Sequence, residues 1–368
     1  MLNKILLKIK SEFILFVSFI VALISVFFVP ISKDYVSYID FKVLAVLFSL
    51  MIVIDGLQKH GFFTSFAQRL LYGKKRLRLL YLILVLLPFI SSMFITNDVA
   101  LITFVPFCVL ILKMINKQEY LIWTIVNQTI AANLGSMATP IGNPQNLYLY
   151  GKFSLSFGGL VSIIYPYVLL SLIYLLLSCL YIKDEVISVK FDKYFTFDIK
   201  QTAIFIMLFL ICLLSVFNIL DYKILLVIIV LVILIFDKKL LRYADYSLIL
   251  TFVCFFVFAG NISRIPQIND FISLLMEKNA LVTSIITSQI ISNVPSALLL
   301  SVFTNNYQAL ILGCNIGGLG TLIASLASLI SFKIYLKSEK VEAKKYIIAF
   351  TILNVILLVL FTIIALVL

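Results

Sequence analysis

The sequence contains little charge: only 12% of its 368 residues are Asp, Glu, Lys or Arg, whereas 63% are hydrophobic. Soluble domains are about a quarter charged, so this composition excludes an ordinary soluble enzyme or binding domain. Many runs of ~18 or more apolar residues predict transmembrane helices rather than a β-barrel. The chain is therefore expected to be an all-α integral membrane protein.

Histidine and cysteine are also scarce. The sequence has one histidine, His60, and we find no Cys/His cluster, phosphate-binding loop or nucleophile paired with a base. We therefore expect neither an enzyme nor a resident cofactor, and no nucleotide-binding domain indicates a primary pump. We expect the five cysteines, all in apolar segments, to be free thiols without a redox role: Cys108, Cys179, Cys212, Cys254 and Cys314.

The apolar segments predict nine membrane crossings. The first one follows three lysines and has no small-x-small cleavage site, so we expect a transmembrane helix rather than a cleaved signal peptide. The nine crossings cover residues 12–30, 40–57, 120–149, 157–182, 201–219, 223–236, 246–262, 307–332 and 345–367.

The basic residues are distributed unevenly over this layout. If the N-terminus is cytoplasmic, 23 of the 29 Lys and Arg residues lie in cytoplasmic segments and 6 lie outside. This is the positive-inside pattern, and it predicts a multi-pass protein of the cell (plasma) membrane with an extracellular C-terminus. The net charge of +12 is thereby explained without a nucleic-acid partner. The predicted layout leaves no Lys or Arg in the middle of the membrane.

Two further apolar segments, residues 79–112 and 280–304, are interrupted by short polar stretches. Two full crossings need ~40 residues, and the second segment has 25. In the first segment, the arm after the polar "ITNDVA" stretch has only about 14 residues by the same length argument. Both segments predict re-entrant hairpins with polar tips, and the alternative is a pair of short, tilted helices with a polar outer loop.

The order of these features repeats along the chain. "YIDF" at Tyr38 and "YADY" at Tyr243 each precede an apolar span, an amphipathic stretch, a hairpin and a glycine-broken span. An odd number of crossings separates the two units, so they point in opposite directions, as in many secondary transporters. The expected division is repeat 1 at 12–182, a cytoplasmic linker at 183–200 and repeat 2 at 201–367.

Each repeat contains one span that is broken by glycine. "NLGSMATPIGNPQN" lies in the span 120–149, and "NIGGLGTLIAS" lies in the span 307–332. A broken helix at membrane depth exposes carbonyls that suit a small cation and N-terminal amides that suit an anion. Hydroxyl, carbonyl and amide oxygens are ligands for hard cations such as sodium. We therefore expect two related half-sites near the membrane midplane.

The motifs "SSMFITNDVALITFVPF" and "AANLGSMATPIGNPQN" resemble the ion transporter superfamily, which includes citrate and dicarboxylate permeases, sodium-coupled divalent-anion symporters and arsenite permeases. "SQIISNVPSALLL" and "GCNIGGLGTLIASLASLISF" resemble the second half of the same pattern. The resemblance implies a homodimer whose hairpin-bearing parts move against a scaffold of the remaining helices. It covers nearly the whole chain and does not specify the substrate.

In the sodium-coupled members, each hairpin tip carries a Ser-Asn-Thr motif that contacts the substrate carboxylate and sodium. The resemblance places these roles on Thr96–Asp98 and Ser292–Val294, with a further sodium ligand at Ser92 and Ser288. The chain departs from the motif twice: Asp98 replaces a threonine and brings negative charge, and Val294 removes a hydroxyl. The Asn-Asp tip is more similar to the arsenite permeases.

These arguments predict a secondary active transporter of a small, carboxylate-type anion, coupled to Na+ or H+ by alternating access. The alternatives are an arsenite permease, a Na+/H+ antiporter-like member of the superfamily, or a passive channel. The expected substrate-binding residues are Thr96, Asn97, Asp98, Thr139, Pro140, Gly142, Asn143, Asn146, Ser292, Asn293 and Thr321. The expected ion-binding residues, which are the sodium site, are Ser92, Thr96, Asn97, Asn133, Gly135, Ser136, Ser288, Ser292, Asn293, Asn315, Gly317 and Gly318.

Asp98 is the ionisable residue that this layout places at membrane depth, where a charge is costly and usually functional. We expect Asp98→Asn to abolish transport or its pH dependence in proteoliposomes, because the amide cannot carry the proton or the charge. Unchanged transport with an unchanged pH profile would exclude Asp98 as the coupling group.

Overall fold

The computed structural model describes residues 13–191, 196–339 and 341–367, and these are helical over most of their length. The all-α class expected from the sequence is confirmed. Some parts of the predicted layout fall outside the described residues. They are residue 12, where the first crossing was expected to begin, and five lysines that were counted as cytoplasmic: Lys4, Lys8, Lys10, Lys193 and Lys340.

The helices before the linker are mostly apolar and of variable length. Two short 3-10 helices, Gln118–Tyr120 and Cys179–Tyr181, extend neighbouring α-helices. The α-helices are Phe13–Phe28, Asp34–Tyr38, Phe41–Lys59, Phe62–Leu71, Leu77–Ser91, Asn97–Met114, Leu121–Ser136, Pro144–Lys152 and Phe157–Ser178.

The helices after the linker follow a similar order of long and short elements. They are Ile199–Val216, Tyr222–Phe236, Lys238–Tyr243, Tyr246–Ile262, Pro266–Ile291, Asn293–Leu300, Tyr307–Ile316, Leu326–Tyr335 and Ala343–Val367.

Several described helices are suited to a membrane by length and composition. Five are long and apolar enough to cross one, and a sixth span is possible if a pair of helices bent by 101° counts as one. This supports a multi-pass membrane protein. The five helices are Phe41–Lys59, Asn97–Met114, Phe157–Tyr181, Ile199–Val216 and Ala343–Val367, and the bent pair is Tyr246–Ile262 with Pro266–Ile291.

The aspartates of the repeated Tyr-x-Asp-aromatic motif begin equivalent helices. The Asp40 carboxylate accepts a hydrogen bond from Val43 N at 3.0 Å, and the Asp245 carboxylate accepts one from Leu248 N at 3.0 Å. A side-chain oxygen at this position satisfies one of the free N–H groups of the first turn. The repeated motif is therefore a helix N-cap in both halves.

Two helical hairpins and two loops form the polar centre of the molecule. The first hairpin is Leu77–Ser91 with Asn97–Met114, and the second is the end of Pro266–Ile291 with Asn293–Leu300. We call residues 137–143, between Leu121–Ser136 and Pro144–Lys152, the first loop. Residues 317–325, between Tyr307–Ile316 and Leu326–Tyr335, are the second loop.

The second arm of the first hairpin is longer than the sequence predicts. It has 18 residues rather than about 14, because Asn97 and Asp98 already lie in its first turn and Pro106 is accommodated within the helix. In the other arm, Pro88 has no N–H for the carbonyl of Leu84. The Gln128 side chain donates to that carbonyl at 2.8 Å and so joins the hairpin to the helix of the first loop.

The segment expected to be a plain linker contains a strand. Val186–Val189 pairs antiparallel with Gly73–Arg76, and Lys74 lies opposite Ser188. An ion pair of 2.7 Å between Arg76 and Asp184 flanks the ribbon. The pairing joins segments more than 100 residues apart, and neither has a strong strand pattern of its own.

Gly56 brings two long helices into close contact. A Cβ at this position would overlap the ring of Phe205, which is buried on helix Ile199–Val216. We expect Gly56→Leu to destabilise the protein by ~1–3 kcal/mol, because the added atoms must displace a packed aromatic ring. Thermal unfolding of the detergent-purified chain measures this effect.

Gly158→Leu is the matched control, since a Cβ at Gly158 meets no atom within 4 Å. Equal losses of stability in the two variants would contradict the packing of these two helices.

Candidate ion and substrate site

Each hairpin turn is bonded to the loop of its own half. Asn97 N donates to Gly142 O of the first loop at 3.2 Å, and Asn293 N donates to Ala324 O of the second loop at 3.0 Å. The two expected tip asparagines thus make equivalent backbone contacts. Both side chains are buried, at 5% exposed.

Asn133, at the end of the helix before the first loop, contacts the opposite half. Its Oδ1 accepts from Ser325 Oγ at 3.0 Å, and its Nδ2 donates to Ser328 Oγ at 3.3 Å. These serines are the residue before helix Leu326–Tyr335 and a residue of its first turn. One asparagine side chain therefore fixes the start of a helix in the other half.

Asn315 makes the reciprocal contacts. Its Oδ1 accepts from Asn143 Nδ2 at 3.1 Å, and its Nδ2 donates to Asn146 Oδ1 at 2.7 Å. Asn143 is the N-cap of Pro144–Lys152, where its own Oδ1 accepts from Asn146 N at 2.8 Å. All three side chains are at most 3% exposed, so these bonds form inside the protein.

A chain of contacts connects the two hairpin tips. Asn97 Nδ2 donates to Asn133 Oδ1 at 3.1 Å, and Asn133 Nδ2 lies 3.5 Å from Gly318 O. A Cβ added to Gly318 would come within 2.9 Å of Asn293 Nδ2. The structure therefore brings the two expected half-sites together at a single buried polar centre.

Small residues allow each hairpin to approach the helix before its loop. A Cβ at Gly135 would come 2.7 Å from Ser92 Oγ, and a Cβ at Gly317 would come 2.8 Å from Ser288 Oγ. Both distances are shorter than side chains tolerate. The expected ion-binding serines therefore lie directly against the glycines, and larger residues at either position would separate hairpin from helix.

Helix ends bring partial charges of both signs to this centre. Four helices begin here, at Asn97, Pro144, Asn293 and Leu326. Helix N-termini carry partial positive charge and free N–H groups, which favour an anion. Four helices also end here, at Ser91, Ser136, Ile291 and Ile316, and free carbonyls at helix C-termini favour a cation. The centre can therefore interact with both signs of charge.

The segments that build the centre contain almost no formal charge. Residues 79–112, 120–151 and 279–332 include a single Asp, Glu, Lys, Arg or His residue, Asp98. The Asp98 side chain is half-buried, and its backbone N–H donates to Asn97 Oδ1 at 3.0 Å. Asn97, rather than Asp98, therefore binds the backbone at the start of this arm.

The other residues expected at the site differ in their burial and in their hydrogen bonds. Ser136 Oγ donates to Asn133 O at 2.9 Å, and Thr139 Oγ1 donates to Met93 O at 2.5 Å, so both bond within the first half. Thr96 is half-buried and makes no capping bond with its side chain, whereas Thr321 is exposed. Pro140, Gly142 and Ser292 are buried with the asparagines.

Three polar residues of the centre were absent from the sequence-based set. Ser325 and Ser328 lie at the start of helix Leu326–Tyr335 and bond to Asn133 of the other half. Gln289 follows Ser288 and bonds to the second loop through both of its amide atoms. Only the tertiary structure reveals these bonds.

We expect Asn133→Ala to lower the stability of the protein by ~1–3 kcal/mol, because Asn97 Nδ2 and Ser325 Oγ lose a buried partner. Thermal unfolding of the purified chain measures the loss. In a double-mutant cycle with Ser325→Ala, the two losses should be non-additive by ~0.5–3 kcal/mol, since the residues bond directly.

Asn354→Ala is the control for the loss of a buried asparagine side chain. Asn354 is equally buried, and its Nδ2 bonds to Phe350 O in its own helix. Strict additivity of Asn133→Ala with Ser325→Ala would contradict the bond between the halves.

Comparisons with known proteins show which family the chain is similar to. The family model described as "Citrate transporter" matches residues 13–308. An uncharacterized transporter of Methanocaldococcus jannaschii is 32% identical over 300 residues, which are 80% of this chain and 81% of the relative. The inner membrane protein YbiR of Escherichia coli is 29% identical over 316 residues, which are 83% of each chain.

A more partial match is the silicon efflux transporter LSI3 of Oryza sativa, 29% identical over 164 residues, which are 44% of this chain and 33% of that protein. The resemblance to the ion transporter superfamily is confirmed by these matches. The family model covers most of the chain, including both hairpins, the first loop and the beginning of Tyr307–Ile316. The protein belongs to the citrate transporter family.

Proposed function

We propose that the protein is a secondary active transporter of a small carboxylate-type anion, coupled to Na+ or H+ by alternating access. The observation that carries this proposal is the buried centre at which four helix N-termini and four helix C-termini meet. An anion can bind the N-terminal amides without a buried Lys or Arg, and a co-bound cation can bind the carbonyls. Binding both together compensates the charge and favours symport.

The architecture we propose has two inverted repeats, 12–182 and 201–367, joined by the linker 183–200. In it, nine crossings accompany re-entrant hairpins at 79–112 and 280–304 and broken helices at 120–149 and 307–332. The matched N-caps, the matched hairpin–loop bonds and the reciprocal asparagine contacts support this division, because equivalent residues of two related units make equivalent bonds.

The binding residues are proposed in two groups. The residues that would bind the substrate are those of the hairpin tips and part of the loop regions: Thr96–Asp98, Thr139, Pro140, Gly142, Asn143, Asn146, Ser292, Asn293 and Thr321. The serines at 92 and 288, the asparagines at 133 and 315 and the adjoining glycines would hold the coupling ion. Their burial and small size support these roles, since a dehydrated ion needs oxygen ligands at close range.

A second candidate function is an arsenite permease or a Na+/H+ antiporter-like activity. Asp98 favours it, because a single carboxylate beside the centre can exchange a proton for a cation without a carboxylate substrate. A relative named as a silicon efflux transporter also supports testing substrates other than carboxylates.

The proposed location and assembly follow from the distribution of basic residues and from the family. The excess of basic residues on one side of the predicted layout supports a plasma-membrane location with the N-terminus in the cytoplasm and the C-terminus outside. A homodimer in membrane lipid is the proposed assembly, with the hairpin-bearing parts moving against the remaining helices. A bond network that spans both halves supports movement of these parts as one unit.

We expect proteoliposomes containing the protein to take up labelled citrate or succinate with saturation kinetics, in response to a Na+ or pH gradient imposed separately. Labelled arsenite is the comparison substrate for the second candidate. Asn97→Ala with Asn293→Ala should remove most of the uptake, because both hairpin tips lose their buried side-chain amides.

Asn354→Ala, whose side-chain bond lies within its own helix, should leave uptake unchanged. Uptake that does not saturate and ignores both gradients would indicate a channel. Gradient-driven uptake of arsenite without citrate or succinate uptake would exclude the carboxylate proposal in favour of the second candidate.

A further inference from the structure

Residues 59–78, which connect helix Phe41–Lys59 to the first hairpin, form a basic arm. They include six Lys or Arg residues and no Asp or Glu. The corresponding arm before the second hairpin, residues 264–278, holds two basic and two acidic residues. The two arms occupy equivalent positions before their hairpins, so the excess of positive charge is a property of the basic arm alone.

The helix of the basic arm, Phe62–Leu71, has an exposed apolar face. Its residues Phe63 and Ala67 are buried, whereas Phe66 and Leu70 are 51% and 40% exposed. The helix has 10 residues and is therefore about 15 Å long, too short to cross a membrane. A short helix with an apolar outer face beside a membrane-spanning helix is typical of a segment that lies in the lipid interface.

The two-stranded ribbon joins this arm to the linker strand Val186–Val189. The two acids immediately before the linker strand are each engaged in an ion pair. Asp184 pairs with Arg76 at 2.7 Å, and Glu185 pairs with Lys117 at 2.5 Å. These two carboxylates therefore do not neutralise the other basic residues beside the ribbon.

Six basic residues of the arm and beside the linker strand form no ion pair with an acid within residues 13–191, 196–339 and 341–367. Some of them contact neutral groups, which do not compensate their charge: Lys75 and Arg78 donate to backbone carbonyls at 2.8 Å, and Arg69 lies over an aromatic ring. The six residues are Arg69, Lys74, Lys75, Arg78, Lys183 and Lys190.

We propose that helix Phe62–Leu71 and these six basic residues bind anionic phospholipid of the membrane leaflet on which they lie. The exposed face at Phe66 and Leu70 contacts the acyl chains, and the basic side chains contact the phosphate groups. Clusters of about four to eight Lys or Arg residues beside a membrane helix are typical of anionic-lipid recognition. The proposal concerns a surface away from the polar centre and does not depend on the transported substrate.

Charge complementarity favours anionic lipid over zwitterionic lipid at this surface. The arm at residues 264–278 also exposes apolar residues, since Phe271 is 61% and Leu274 49% exposed, but its charges cancel. Both arms can therefore lie in a lipid interface, and only the basic arm adds an attraction for phosphate groups that lack a choline or amine.

A triple variant, Lys74→Gln with Lys75→Gln and Lys190→Gln, tests the charge requirement. The full-length protein is purified in micelles of detergent and phosphatidylcholine, and its Tm is measured as phosphatidylglycerol is added. The Tm of the unmodified protein should rise, because a lipid that binds only the folded state stabilises it. In the variant, the phosphatidylglycerol concentration that gives half of the rise should be about tenfold higher or more, since each basic residue adds to the attraction.

The matched control removes the same charge from exposed lysines outside the basic arm and the linker. It is Lys152→Gln with Lys223→Gln and Lys278→Gln. Its titration with phosphatidylglycerol should match that of the unmodified protein.

A second variant, Phe66→Ser with Leu70→Ser, tests the contact with acyl chains and leaves every charge in place. It should also need more phosphatidylglycerol than the unmodified protein, because the exposed face loses its apolar area. Glycerol phosphate, which has the anionic group without the acyl chains, should not raise the Tm of the unmodified protein.

If the lysine variant and its control give the same titration, the inference is wrong. Stabilisation by glycerol phosphate alone would also overturn it, because the surface would then bind a soluble anion. If light scattering shows that the lysine variant loses a dimer while its phosphatidylglycerol titration is unchanged, the surface belongs to a contact with a second copy of the chain instead. Uptake is not measured in this test, so failure of the inference leaves the transporter proposal intact.

Discussion

The cost of leaving backbone polar groups unpaired inside an apolar environment governs this structure. Two helices stop and two start again in the buried interior, and every carbonyl and N–H released there needs a partner. Side-chain amides and hydroxyls provide many of these partners. The most consequential are Asn133 and Asn315, which bond across to the opposite half.

These reciprocal contacts explain why the polar residues are concentrated in so few segments. Each of these asparagines bonds to side chains at a helix start of the other half, so it satisfies its own amide and joins the two halves. The glycines let Ser92 and Ser288 approach closely enough for the loops to remain enclosed. The result is a centre rich in oxygens and N–H groups that is built with one formal charge, Asp98, beside it.

A neutral centre of this kind suits a transporter. Helix termini bind ions through partial charges, so an anion and a cation can be held without a permanent counter-charge that would trap either. The two halves are related without being identical. In the second half a hairpin residue, Gln289, donates to two carbonyls of the second loop. In the first half the equivalent bonds come from Asn146, which follows the first loop and donates to the carbonyls of Met137 and Thr139.

Much of this could be read from the sequence. Apolar runs determined the helical class, and the glycine- and asparagine-rich stretches indicated which residues would meet, because only partnered polar groups persist among apolar helices. The longer arm at Asn97, the ribbon at Val186–Val189, and the roles of Ser325, Ser328 and Gln289 were decided by the tertiary structure. Each depends on a partner distant in the chain, and local composition carries no information about which distant group will be adjacent.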